Sequence, residues 1–136
     1  MKANPVHETH ASFDFTLGKY DRLCRAIVES KYVPVTLANY LQLGPEKDSR
    51  HYLIMRHDID RSPQRAVGTA EIEHSYGIPA TYYFRDRPAT YVPEIMDRVA
   101  RLGHEIGYHY ETVDKCRGDI AMAKGLFGRE LRTFQA

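Results

Sequence analysis

The chain has 136 residues, 43% hydrophobic and 27% charged, the make-up of one folded domain rather than of a disordered or low-complexity protein. A formal net charge of +1 gives no electrostatic case for binding nucleic acid or an anionic membrane. No apolar run reaches the roughly 18 residues of a membrane span and the polar N-terminus has no signal core, so the expectation is a cytoplasmic protein whose Cys24 and Cys116 stay reduced.

Residues 1–14 read as a poorly ordered arm. From Leu17 to Ser30 apolar residues recur at helical spacing (Leu17, Tyr20, Leu23, Cys24, Ile27, Val28), with Thr16 as N-cap. Thr36 caps a second, short helix that stops at Gly44-Pro45, and residues 46–50 read as a polar loop. Tyr52 to Arg56 is the first expected strand, leading into a loop at Asp58. Ser62-Pro63 reads as a cap followed by an N1 proline, opening a helix to about Tyr76 that Gly77 ends.

Ala80 to Phe84 is a second strand, rich in aromatic residues. Pro93 opens a helix that Gly103 closes, Glu105 to Tyr108 is a third strand, and Gly118-Asp119 caps a last helix with Ile120, Ala123, Phe127, Leu131 and Phe134 on one face. The order from Tyr52 onward is β-α-β-α-β-α, which implies parallel strands joined by crossover helices, an α/β fold. Two divisions follow: an N-terminal arm and helical segment over 1–50, and an incomplete (β/α) barrel domain over 51–136. A complete barrel takes about 250 residues and the last helix pattern carries no stop signal, so a truncated barrel is expected, with an open sandwich as the alternative. Its open sheet edge predicts self-association.

The chemistry-bearing residues sit where apolar runs end. Asp58 and Asp60 are two apart and point to one side of a strand end; two such carboxylates repel unless a cation or a proton lies between them. They can equally cap the next helix or pair with Arg56 or Arg61. His109 ends the third strand, and Glu111, two beyond it, can share its side or be a surface carboxylate. Strand alternation argues against His57 ligating beside Asp58 and leaves His104 at the far end of its strand in a packing role. Tyr82, Tyr83, Phe84, Tyr91, Tyr108 and Tyr110 are either sugar-stacking rings or ordinary core and rim.

Taken together, Arg56-His57-Asp58-Ile59-Asp60, the helix opened by Ser62-Pro63, the strand Ala80–Phe84 and Gly103-His104-Glu105-Ile106-Gly107-Tyr108-His109 resemble the polysaccharide deacetylase superfamily. That group includes carbohydrate esterase family four and the nodulation-type chitooligosaccharide deacetylases. The resemblance implies a distorted (β/α) barrel and a divalent metal, Zn²⁺ first, in a hydrolase of non-peptide carbon–nitrogen bonds acting on an N-acetylated carbohydrate.

Asp58 matches the base, Asp60 a metal ligand and His109 the first histidine of a His-x-x-x-His pair. Val113 stands where the second histidine belongs, and Glu111 is the candidate to replace it. The family's later motifs, which carry an arginine that orients the base and a histidine acting as acid, have no counterpart, so little activity is expected of this chain alone. Two alternatives remain: a catalytically inactive barrel remnant that binds carbohydrate or a partner, and an amidohydrolase of small non-sugar amides.

Overall fold

The computed structural model describes residues 15–44 and 49–135. The expected arm over 1–14 and most of the expected loop at 46–50 lie outside them. In chain order the elements are α1 (Leu17–Glu29), β1 (Tyr32–Val35), α2 (Leu37–Gln42), β2 (His51–Ile54), β3 (Arg56–Ile59), α3 (Gln64–Ser75), β4 (Thr81–Phe84), α4 (Pro93–Arg101), β5 (Glu105–Tyr108), α5 (Thr112–Lys115) and α6 (Ile120–Gln135). All strand pairing is parallel: β1 with β2, and β3 with β4 with β5. The protein is α/β.

Local chemistry explains most element boundaries. Thr16 Oγ1 accepts from Lys19 N at 3.2 Å and Thr36 Oγ1 from Asn39 N at 3.2 Å, each satisfying an amide that the helix itself leaves open. Asp119 Oδ1 does the same for Met122 N at 3.0 Å in α6. At the end of α3, Gly77 turns left-handed with φ 68°, and Ile78 N donates back to Glu73 O at 2.9 Å. Ser62 does not cap α3. It sits at φ 49°, Pro63 occupies the cap position, and no side chain closes that end.

Two short elements escape the sequence pattern. Pro34 lies inside Tyr32–Val35, yet among the described residues β1 pairs on one side only, so the missing N–H costs no ladder bond. The four residues of α5 are too few to show a helical period.

β2 and β3 are two halves of one extended run parted by Met55, whose carbonyl accepts from Thr81 N at 2.9 Å. The first half pairs with β1 and the second with β4. Asp58 is therefore inside a strand, opposite Tyr83, rather than in a loop after one. Exposure alternates along the run: Ile54, Arg56, Asp58 and Asp60 face out, while Met55, His57 and Ile59 are half-buried.

The inward face packs on α3 and α4. Ala66 and Ala70 of α3 meet Ala80, Tyr82 and Phe84 around β4, with Met96 and Val99 of α4. The small alanines let α3 approach closely enough for His104 Nε2 to donate to Ala70 O at 2.9 Å. A second cluster joins Tyr20, Cys24 and Ile27 of α1 to Ile78, with Leu53 and Met55 against it. The segment before residue 50 thus shares its core with the segment after it. Each large side chain so buried contributes about 1.5–3 kcal/mol. Cys24 and Cys116 are buried free thiols, and among the described residues no helix is long and apolar enough to cross a membrane.

Among the described residues, the outward face is covered only at its lower end, by α2. There Thr81 Oγ1 accepts from Leu37 N at 3.0 Å and Glu105 Oε2 from Ala38 N at 3.1 Å. The upper end of that face carries the acids.

Candidate functional site

Strand register brings the expected residues together. Asp58, Tyr83 and Gly107 form one row across β3, β4 and β5. One row further, past Ile59, Phe84 and Tyr108, come Asp60, Arg85 and His109, and His109 N still donates to Phe84 O at 2.8 Å. All six lie at the C-terminal ends of parallel strands, where α/β folds present chemistry. Asp60 and His109 are two strand spacings apart, about 10 Å between backbones, and their side chains converge above Arg85. His109 Nε2 stands 3.5 Å from Asp60 Oδ1 and 3.7 Å from Asp58 Oδ2.

Those separations bear on a shared cation. Two ligand atoms about 2.0–2.2 Å from a tetrahedral zinc stand about 3.4 Å apart, which matches the 3.5 Å between His109 and Asp60. Asp60 and His109 therefore fit one ion. The set stops there: among the described residues no group of three or more His, Cys, Asp or Glu side chains is arranged to hold a metal. His109 Nδ1 is buried without a hydrogen-bond partner, so no neighbouring acceptor fixes the ring as one usually does for a ligating histidine.

Asp58 is held from the other side. Arg56 Nε donates to Asp58 Oδ1 at 2.8 Å and its Nη2 to Oδ2 at 3.4 Å. The Arg56 guanidinium also lies over the Tyr83 ring, 4.5 Å from the centroid. That ring fills the space above Gly107: a Cβ built there would come within 2.6 Å of it. Gly107 thus makes room for Tyr83, Tyr83 seats Arg56, and Arg56 orients Asp58.

Glu111 has a different neighbourhood. Its Oε2 accepts from Arg85 Nε at 2.8 Å and its Oε1 from Arg87 Nε at 2.6 Å, so both oxygens are taken by guanidiniums. Burial works against its charge, but Arg87 and Arg85 together hold its carboxyl below the usual range. Beside it, Lys115 Nζ bonds Glu130 Oε1 at 2.5 Å, while Tyr108 and Thr112 hydroxyls donate to Glu130 Oε2 at 2.6 Å. Burial and the Glu130 carboxylate raise the Tyr108 phenol to about 12. A hollow of about 560 Å³ lined by Tyr110, Glu111, Val113, Asp114, Arg117 and Gly118 opens next to this group.

The tyrosines sort by strand parity. Tyr82 and Phe84 are fully buried and belong to the core, which rules them out as sugar platforms. Tyr83 is on the open face, and Tyr110 is half exposed with its ring edge-on to Phe127 at 5.2 Å.

Beneath the open face lies a cluster that the sequence pattern does not announce. Glu73 of α3 is fully buried. Its Oε1 meets His57 Nε2 at 2.5 Å and accepts a short hydrogen bond from the Tyr20 hydroxyl; Oε2 accepts from Tyr82 at 2.6 Å. His57 stacks on Tyr82 with centroids 4.4 Å apart. His104 is buried close by and accepts from Ala80 N at Nδ1 (3.1 Å) while donating at Nε2, which fixes its tautomer. The available signal was Glu73 itself, a carboxylate on the helix face of Ala66 and Ala70, seven and three residues away. Comparison with protein-family models, with curated proteins and with solved structures finds no match for the chain.

Proposed function

We propose that this chain carries the metal-binding and base half of a hydrolase of non-peptide carbon–nitrogen bonds, of the polysaccharide deacetylase type, acting on an N-acetylated carbohydrate. One observation carries it: Asp58, Asp60 and His109, drawn from two strands, meet on one face with Asp60 and His109 spaced for a shared cation. A (β/α) barrel is the fold this reading requires, and the parallel strand–helix alternation supports it.

In that reading Asp60 and His109 hold the divalent ion, which when bound lowers the pKa of a coordinated water and polarises the acyl carbonyl. Asp58 is the base. It lies beside those ligands and is turned by Arg56, so its free lone pairs can take the proton of the attacking water. Tyr110 offers exposed ring area for a sugar at the hollow. A catalytic zinc takes three protein ligands; Glu111, engaged by Arg85 and Arg87, is not counted among them, and Val113 offers no donor atom.

That two-ligand set favours a second reading, a binding remnant without turnover. Zinc calorimetry separates the two. The hydrolase reading expects one site per chain, weakened at least tenfold by Asp60→Ala and by His109→Ala, with release of acetate from N-acetylated chitooligosaccharides. Zinc uptake unchanged in both variants rejects it. Saccharide binding with neither zinc uptake nor acetate release establishes the remnant.

A further inference from the structure

We infer that Glu111 is a positioning residue: acting through Arg85, it holds the main chain of Asp60 at the distance from His109 that a shared ion needs. The use of Asp60 and His109 as ligands rests on the reading above; the strut between their strand ends does not.

His109 and Asp60 follow the two outer strands of the β3–β4–β5 sheet, so their side chains must meet across β4. Little on either side chain fixes that meeting. His109 Nδ1 is buried without a partner, and Asp60 lies one residue past β3 with its side chain 64% exposed. The main chains must therefore set the spacing.

Arg85, just past β4, bridges them. Its Nε donates to Glu111 Oε2 at 2.8 Å, and its Nη1 reaches the Asp60 carbonyl oxygen at 3.4 Å, a long bond. Glu111 follows His109 by two residues, so one guanidinium joins the end of β5 to the end of β3 over β4. Arg85 is itself tethered, since buried Thr90 donates from Oγ1 to its carbonyl at 3.0 Å. The Glu111 side chain is 12% exposed with both oxygens on guanidiniums, which suits it to hold rather than to ligate. Arg87 supplies a contrast within the same group. It bonds Glu111 as Arg85 does, but among the described residues it makes no bond to Asp60. Lys115 Nζ donates to Asp86 O at 3.0 Å, so the loop after β4 keeps a tie to α5 when Glu111 is altered.

Two measurements on the full chain test the strut. In the chelator-treated protein the Asp60 carbonyl-carbon NMR signal reports its hydrogen bond. Arg85→Gln and Glu111→Gln should each move it, and Arg87→Gln should leave it in place. By calorimetry the first two should weaken zinc uptake tenfold or more, within the about 10–100-fold usual when a group that orients a ligand is lost. Arg87→Gln should change uptake less than threefold. The double variant Arg85→Gln/Glu111→Gln should stay within threefold of either single one, because the two act in series. Arg85→Lys keeps the charge but cannot fork between two partners; it should lose zinc as Arg85→Gln does, and it stands in if thermal melts show that variant unfolded. An Asp60 signal unmoved by both Arg85→Gln and Glu111→Gln overturns the strut. Equal zinc loss in the Arg85 and Arg87 variants, or unchanged zinc affinity in Glu111→Gln, overturns its positioning role. Absence of zinc uptake by the parent chain rejects the hydrolase reading instead, and the carbonyl signal still judges the strut.

Discussion

At the scale of single residues, the open face is organised by a glycine. Gly107 has room for no side chain because the Tyr83 ring lies across it, and a Cβ would stand 2.6 Å from that ring. Gly107→Ala should therefore push Tyr83 aside, loosen Arg56 and cost about 1–3 kcal/mol, the usual range for overpacking. Tyr83→Ala in the same chain should recover most of that loss, because it empties the contested space. Denaturant melts of the two single variants and the double variant check this through their coupling energy; additive losses would show that the clash is not the cause. From the sequence, Gly107 is visible as part of a strand and of the Gly103–His109 run, and glycine in a strand marks a bulge or a close approach. Which neighbour approaches depends on register across β4 and β5, and that is tertiary information.

At the scale of elements, Glu73 ties α1, β3 and β4 to α3 through Tyr20, His57 and Tyr82. Burial opposes its charge, yet His57 and the two phenols keep its carboxyl below the ordinary 4.5. A depressed carboxyl contributes stability that is fully present above 4.5 and is lost as pH falls through its folded value. Burial first, then the Glu73 carboxylate, drives the Tyr20 and Tyr82 phenols far above 10.0. A raised phenol contributes stability that is present below 10.0 and is lost as pH rises beyond it.

The melting temperature should thus hold a plateau between these limits and fall on both sides. Glu73→Gln should lower the plateau and flatten the acid limb, as thermal melts from pH 3 to 11 would show; an unaltered acid limb would remove Glu73 as its source.

Most elements here were legible because each has a local cause. Thr16, Thr36, Asp119, Gly77 and Pro93 act within a few residues of themselves. The Glu73 cluster was not legible, since its partners lie 9 to 53 residues away and polarity alone places a glutamate outside. Asp58, Asp60 and His109 were readable as strand-end residues, whereas the capture of Glu111 by Arg85 and Arg87 was not, because it joins two loops.

At the scale of the whole molecule, one face of the sheet is clothed by helices and the other, among the described residues, is open above α2. Among the described residues β1 is an edge strand, and Tyr32, Leu41, Leu43 and Ile54 stand exposed around it. Unpaired strand edges with apolar surroundings recruit further strands. We expect the chain to self-associate there: sedimentation velocity should show a species that grows with concentration, and Leu41→Lys with Tyr32→Lys should return it to the monomer. A monomer at all concentrations would contradict this.

The His57–Glu73 contact also acts as a check on alignment. Side chains of a strand alternate, so a slip of one position would drive Asp58 inward against Glu73 and turn His57 out to water. Two carboxylates would then crowd one dry pocket with no imidazole between them, an arrangement far costlier than the native one. The chain therefore rejects the misaligned ladder before any ligand arrives. The outward aim of Asp58 and Asp60 is secured by a histidine that never faces the side they serve.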